Sequence, residues 1–177
     1  MKIKKISLCC LIALMLFSMF LFFGCENYSD EDIAKKNIEK LINVIQEKDR
    51  EGIKALFAPN KIDDIENFDK RIDDLFNYCQ GKYIPSEDEV GAMTEMDKND
   101  GITIKHQIIS YDFTTTVEKY RLAVKWYLQD ASVAENVGIW SFYIIKFDDD
   151  FNKAFRYGGD GLWTSGINIG KARPAHD

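Results

Sequence analysis

Apolar residues recur at spacings of three and four through the first half of the chain, the period of helices that bury one face. The first stripe predicts a helix over residues 30–48, whose start Ser29 and the acids after it can cap. A shorter stripe predicts a second helix over residues 50–57. A third helix is predicted over residues 61–79 and ends at Gly81; its apolar positions are Ile65, Phe68, Ile72, Leu75, Phe76 and Cys79.

After the third helix the apolar period falls to two, which indicates β-strands. Residues 82–84 fit a short strand, whereas the acidic, weakly patterned residues 86–100 predict a long loop. Asn99-Asp-Gly101 is a strong turn signal. Residues 102–116, rich in Ile, Thr and aromatic side chains, predict a long strand, and the slip of its alternation at Ile108-Ile109 suggests a β-bulge.

The C-terminal half contains further strand-like segments. Residues 120–129 alternate cleanly between apolar and polar side chains, and residues 137–147 are apolar on both faces. Asp148-Asp-Asp150 fits a turn, and residues 151–157 and 162–169 fit short strands around a glycine-rich turn. This order of elements predicts an α+β fold, with three N-terminal helices packed on one face of a curved, mostly antiparallel sheet.

The strand over residues 137–147 needs a cover for its second face. Trp140 and Phe142 are expected on one face, and Ile139 and Tyr143 on the other. Helices can cover only one of these faces, so the other requires the C-terminal segment, a second subunit or a ligand. The apolar C-terminal segment is the preferred cover, and a homodimer is the alternative.

The N-terminal residues have the pattern of a secretory signal. Three lysines precede residues 6–23, which carry no charge. The run ends in Leu21-Phe-Phe-Gly-Cys25, which resembles a bacterial lipobox: the cysteine thiol takes a diacylglyceryl group, and the small Gly24 permits cleavage before it. Phe22 departs from that pattern, since leucine is commoner at this position.

The lipobox implies a chain in three parts. Residues 1–24 form the signal peptide, residues 25–30 the lipidated cysteine and a tether, and residues 31–177 a single domain. Acyl chains on Cys25 would hold the domain at the extracytoplasmic face of the cell membrane. The alternative is an uncleaved transmembrane anchor, because residues 6–23 are just long enough to span a bilayer.

The charge and the cysteines restrict the function of the domain. The chain carries 23 Lys+Arg against 29 Asp+Glu, a net charge of −6, and loss of the lysine-bearing signal makes the remainder more acidic. Such a domain repels phosphate groups, so no nucleic-acid partner is expected. Cys9 and Cys10 leave with the signal and Cys25 is acylated, so Cys79 is expected to be a buried, inert thiol.

No metal or cofactor is expected. His106 and His176 are the two histidines of the chain, and they lack the spacing of a zinc site. Residues 97–101 and 148–152 are rich in aspartate but miss the glycine position of a calcium loop. Residues 166–171 place a glycine before a lysine without the Ser or Thr of a phosphate-binding loop.

Two side chains of the strand over residues 102–116 are candidate general bases, namely His106 and Asp112. The alternatives are a hydrogen-bonded structural histidine and an exposed carboxylate at a strand end. The candidate binding residues are aromatic and could equally pack in the core; they are Tyr111, Trp126, Trp140 and Tyr143.

The element order resembles the cone of the nuclear transport factor two-like superfamily. The segments 110–116 (SYDFTTT), 120–123 (YRLA) and 136–146 (NVGIWSFYIIK) also resemble a family of uncharacterised lipoproteins from Gram-positive bacteria. The first resemblance implies a cone that often holds a small-molecule pocket, whether for binding or for catalysis. The second implies no known activity, catalytic residue or cofactor.

Three functions remain open on the sequence. The first is a non-enzymatic, surface-anchored lipoprotein that binds a small molecule or an extracytoplasmic protein. The second is an enzyme of the same superfamily that uses Asp112 or His106 as its base. The third is a dimeric interaction module. The lack of a convergent acid, base and nucleophile favours binding.

Replacement of Cys25 by alanine tests the anchor. The variant should lose the acylated, faster-migrating form and should remain unprocessed, because the modified thiol is what the signal peptidase requires. Gel mobility and intact mass of the membrane fraction measure both effects. Normal processing of the variant would argue against a lipobox.

Overall fold

The computed structural model describes residues 28–86, 89–150 and 162–170. The signal peptide expected over residues 1–24, Cys25 and the strand expected over residues 151–157 lie outside the described residues. The described chain has an α+β fold, in which helices pack against a strongly curled mixed sheet.

Helix α1 (Asp30–Gln46) begins at a capping box. The Asp32 backbone N–H donates to Ser29 Oγ at 3.1 Å, and the Ser29 N–H donates to Asp32 Oδ2 at 3.0 Å. This exchange satisfies two backbone donors that the first turn leaves free. The predicted apolar stripe is buried, which confirms the first helix; its members are Ala34, Ile38, Leu41, Ile42 and Ile45.

The predicted third helix is wrong in its bounds. Helix α2 (Arg50–Leu56) is followed by the single turn of α3 (Pro59–Ile62) and then by α4 (Phe68–Tyr78). The backbone of Asn67 is left-handed, with φ of 56°, and this conformation interrupts the helix between α3 and α4. The described chain therefore has four N-terminal helical segments where three were expected.

The sheet has six strands among the described residues, in the order β1-β3-β4-β5-β6, and β2 also pairs with β3. Its pairs are antiparallel except for β5 with β6, which is parallel. The strands are β1 (Tyr83–Ile84), β2 (Gly91–Asn99), β3 (Ile102–Thr115), β4 (Lys119–Asp130), β5 (Gly138–Lys146) and β6 (Gly166–Ile169).

The long loop predicted over residues 86–100 is wrong, because most of it is β2. This edge strand exposes nearly all its side chains, so no buried face gives it an alternating pattern. Backbone pairing with β3 holds it instead. The predicted turn is confirmed: Asp100 and Gly101 have φ of 49° and 81°, the positive values of a tight hairpin.

The β-bulges lie elsewhere than the sequence suggested. The β3–β4 register shifts between Lys105 and His106, not at Ile108-Ile109. A second shift in the β4–β5 register places an extra residue at Trp140. Ile139 and Phe142 therefore both enter the main core, so the expectation that they lie on opposite faces is wrong.

The core lies between the helices and the inner face of the sheet. Backbone approaches backbone closely where the chain after α2 meets β5: Ala58 N–H donates to the Ile139 carbonyl at 3.1 Å. A Cβ on Gly138 would lie 2.5 Å from Ala58 N, and its φ is 133°, so glycine is required there. On β6, Ile167 completes the core.

Replacement of Ile72 by alanine tests the packing of α4. Ile72 is fully buried, so we expect a loss of about 2–5 kcal/mol in the free energy of unfolding from lost burial and the residual cavity. Denaturant unfolding of the domain measures it. Asp74→Ala on the exposed side of α4 breaks only a surface ion pair with Lys70 and should cost less than about 0.5 kcal/mol. Equal losses in the two variants would mean that the stripe does not face the core.

Candidate functional site

The face of the sheet opposite the helices, here called the outer face, carries the polar side chains of β3 and β4. They alternate with the buried residues of the same strands, such as Phe113 and Leu122. The β3–β4 register places Asp112 directly opposite Arg121. Cross-strand partners on one face are close enough to interact, so this register creates an ion pair.

Arg121 joins three elements on the outer face. Its Nε and Nη2 donate to the two carboxylate oxygens of Asp112 at 2.7 and 2.8 Å, and its Nη1 donates to Asp150 Oδ2 at 2.6 Å. The Phe147 ring lies 4.6 Å from the guanidinium carbon. The hydrogen bonds that Arg121 donates to Asp112, and then to Asp150, raise the pKa of Arg121, so its charge is permanent.

This ion cluster is buried and carries excess negative charge. The side chains of Arg121 and Asp150 are 3% and 1% exposed, and Asp150 Oδ1 has no hydrogen-bond partner. Arg121 and Asp150 were not among the sequence candidates. The signal in the sequence was an arginine within a predicted strand, but its partners depend on the strand register and on the turn after β5.

The cluster bears directly on Asp112 as a candidate base. Arg121 occupies both of its carboxylate oxygens in a bidentate pair, the strongest form of such an interaction. Both oxygens face the guanidinium, so neither is turned toward a substrate in the groove. The geometry therefore makes Asp112 a structural anion that borders a cavity.

That cavity is a groove of about 710 Å³ beside the ion cluster. Its apolar lining comes from Val90, Ala92 and Met93 at the edge of the sheet and from Ile108 on β3. Its polar lining spans the first turn of α1 and two strands: Glu31, Glu89, Ser110, Tyr111, Asp112 and Lys119. The Lys119 ammonium lies 4.2 Å from the centre of the Phe147 ring.

The groove opens where the edge of the sheet is interrupted. Strands β1 and β2 both pair with the same edge of β3, at residues 114–115 and 102–110, and residues 111–113 have neither as a partner. The Tyr111 ring is buried there, and its hydroxyl lies 3.3 Å from both Tyr83 Oη and Ser86 Oγ. Burial raises the pKa of Tyr83 to about 12, so this group stays neutral.

His106 belongs to a separate stack of rings on the outer face. Its ring lies 4.9 Å from that of Tyr127, which stacks on Trp140 at 4.0 Å. His106 Nε2 is 3.0 Å from Glu95 Oε2, but the angles do not make a hydrogen bond. Burial, and then Lys125, lower the pKa of His106, which keeps the imidazole neutral at pH 7.

The structure does not bring the aromatic candidates together. Trp126 is buried in the main core, whereas Tyr143 forms a small outer-face cluster with Ala123, Ile145 and Trp163. Trp140 is the last ring of the stack that contains His106. The Lys61 ammonium lies 4.5 Å from the centre of the Trp140 ring. Among the four candidates only Tyr111 lines the groove.

Cys79 is the free thiol of the described residues. Cys79 is buried, as expected, and burial raises the pKa of its thiol to about 12, far from a reactive thiolate. Within the described residues, no group of three or more His, Cys, Asp or Glu could hold a metal ion. None of the described helices is long and apolar enough to cross a membrane.

Replacement of Arg121 by methionine tests the ion cluster. The variant leaves Asp150 buried without its counter-charge, and we expect a loss of about 3–5 kcal/mol in the free energy of unfolding near pH 7. Urea unfolding at pH 7 measures the loss.

The double variant Arg121→Met with Asp150→Asn is the control, since it removes the buried charge together with its partner. Its free energy of unfolding should exceed that of the single variant, because no unpaired charge stays buried. Urea unfolding at pH 7 compares the two. A single variant that is as stable as the parent would mean that Asp150 is hydrated in solution.

A comparison with known families gives the classification of this fold. The family model described as Domain of unknown function (DUF5104) matches residues 40–147. That stretch covers the C-terminal part of α1, helices α2 to α4, strands β1 to β5 and the Asp112–Arg121 pair. No curated protein matches the chain. The chain therefore belongs to the family described as Domain of unknown function (DUF5104).

Proposed function

We propose that this protein is a lipid-anchored binding protein of the extracytoplasmic membrane face, and that its groove takes a small molecule. The observation that carries the proposal is the groove of about 710 Å³, which falls within the range of about 300–1,000 Å³ common for ligand sites. The lipobox at Cys25 supports the anchor.

The lining of the groove suits an amphiphilic ligand. Val90, Met93 and Ile108 offer apolar surface, and Met93 is half exposed. Ser110 and Lys119 offer donors in the same lining. A few polar groups beside an apolar floor can orient a bound molecule while burial of its apolar part supplies most of the affinity.

The geometry favours binding over the enzymatic alternative. Asp112 is held by Arg121, and His106 lies in the ring stack, outside the lining of the groove. The two candidate bases thus do not converge on one cavity with a nucleophile. The dimeric module also remains a weaker alternative, because β6 and Trp163 occupy part of the sheet surface that a second subunit would cover.

We also infer that the fold is a variant of the nuclear transport factor two-like cone. Helices that precede a curled sheet, and a groove beside the long strands, support this assignment. The fourth helical segment and the parallel strand β6 are departures from the fold that the sequence predicted.

A neutral apolar fluorophore, N-phenyl-1-naphthylamine, tests the groove. The parent domain should bind it saturably with one site. Ser110→Trp places a large ring against the wall of the groove, so we expect it to weaken the titrated affinity by about tenfold or more through exclusion of the probe.

Val133→Trp is the matched control, because it adds the same ring at an exposed position outside the groove. Its affinity for the fluorophore should equal that of the parent, and the melting temperatures of both variants show whether they fold. Undiminished binding by a folded Ser110→Trp variant, or no saturable binding by the parent, would count against the proposal.

A further inference from the structure

The position of α1 fixes which end of the domain can reach the membrane. The proposed anchor, Cys25, lies five residues before Asp30, where α1 begins. An extended chain spans at most about 3.6 Å per residue, so Asp30 lies within about 18 Å of the acylated residue. This limit holds for any conformation of the tether.

The start of α1 is fastened to the hairpin formed by β2 and β3. Lys105 Nζ lies 2.5 Å from Asp30 Oδ1, and Gln107 Nε2 donates to the Asp30 carbonyl at 2.6 Å. Gln107 is fully buried, so the attachment is part of the packed structure. The short tether therefore brings the hairpin, and not only the helix, close to the bilayer.

The C-terminal end of α1 lies one helix length from Asp30. The helix has 17 residues, which gives a length of about 25 Å. At its C-terminal end, Gln46 Oε1 accepts from the Tyr83 N–H at 2.7 Å, and Tyr83 pairs with Thr115 at the end of β3. Val117 follows Thr115 in the next turn and is 69% exposed.

The hairpin exposes apolar side chains among polar ones. Met93, Met96 and Ile102 are 50%, 51% and 41% exposed, and Tyr28 in the tether is 49% exposed. An aromatic ring and flexible apolar side chains suit the boundary between headgroups and acyl chains. Acids in the first turn of α1, and the exposed acids of the hairpin, are repelled by an anionic surface, so an uncharged leaflet favours the contact; the hairpin acids are Glu95, Asp97 and Asp100.

We infer that the β2–β3 hairpin, residues 91–102, lies against the surface of the bilayer to which Cys25 is anchored. The inference rests on the proposed lipid anchor. Glu31 and Met93 line the groove and belong to this same end of the domain, whereas Lys119, two residues after Val117, lines another part of it. One part of the groove therefore faces the membrane side. The occupant of the hairpin surface is the bilayer itself.

Photocrosslinking of the full, acylated chain in phosphatidylcholine vesicles tests the orientation. Benzoylphenylalanine replaces Met96 in one variant and Val117 in the control, both of which are exposed. Mass spectrometry measures the fraction of each that is joined to lipid. We expect position 96 to crosslink about fivefold more than position 117, because interfacial contact reaches only about 5–10 Å into the boundary.

A flexible Gly/Ser insertion of about twelve residues after Glu26 should bring the ratio close to one, because the tether then no longer limits the orientation. Equal crosslinking without the insertion, or a ratio that survives it, overturns the inference. Absence of an acyl group in the purified chain is a failure of the proposed anchor alone. A lipid coupled chemically to Cys25 of a chain without residues 1–24, and so without Cys9 and Cys10, then tests the orientation, since Cys79 is buried.

Discussion

The helices cover one face of the sheet only, and the properties of the domain depend on how the other face is closed. Apolar side chains of β5 lie on both faces, and an open outer face would invite association. The chain after β5 supplies the closure: Asp150 pairs with Arg121, and Trp163 packs against Tyr143. The turn after β5 and the segment before β6 therefore complete the layer that the helices leave out.

Closure by an ion cluster has a different effect from closure by apolar side chains. A buried ion pair adds little net stability compared with well-packed apolar groups, yet removal of one partner leaves an unpaired buried charge and is costly. The main effect of Arg121 is therefore to fix positions: its planar donors hold both Asp112 on β3 and the turn that follows β5. This fixed arrangement borders the groove and keeps its wall polar.

The sequence predicted the elements that bury a single face. Helix α1 has a clear period, because burial on one face selects the residues at fixed spacings. Strand β2 buries neither face and left no such pattern, and the break at Asn67 is a backbone conformation that spacing does not reveal. The sequence shows that Asp112 is a carboxylate on a strand. Its role depends on Arg121, and only the β3–β4 register places Arg121 opposite it.

The groove and the proposed anchor meet at the same helix end, and this links binding to location. Glu31 in the first turn of α1 lines one part of the groove, so the proposed anchor would hold that part within a short distance of the bilayer, while Asp112 and Lys119 line another part. An amphiphilic ligand is concentrated at such an interface, because burial of its apolar part is favourable there. The arrangement thus favours ligands that reach the domain along the membrane surface.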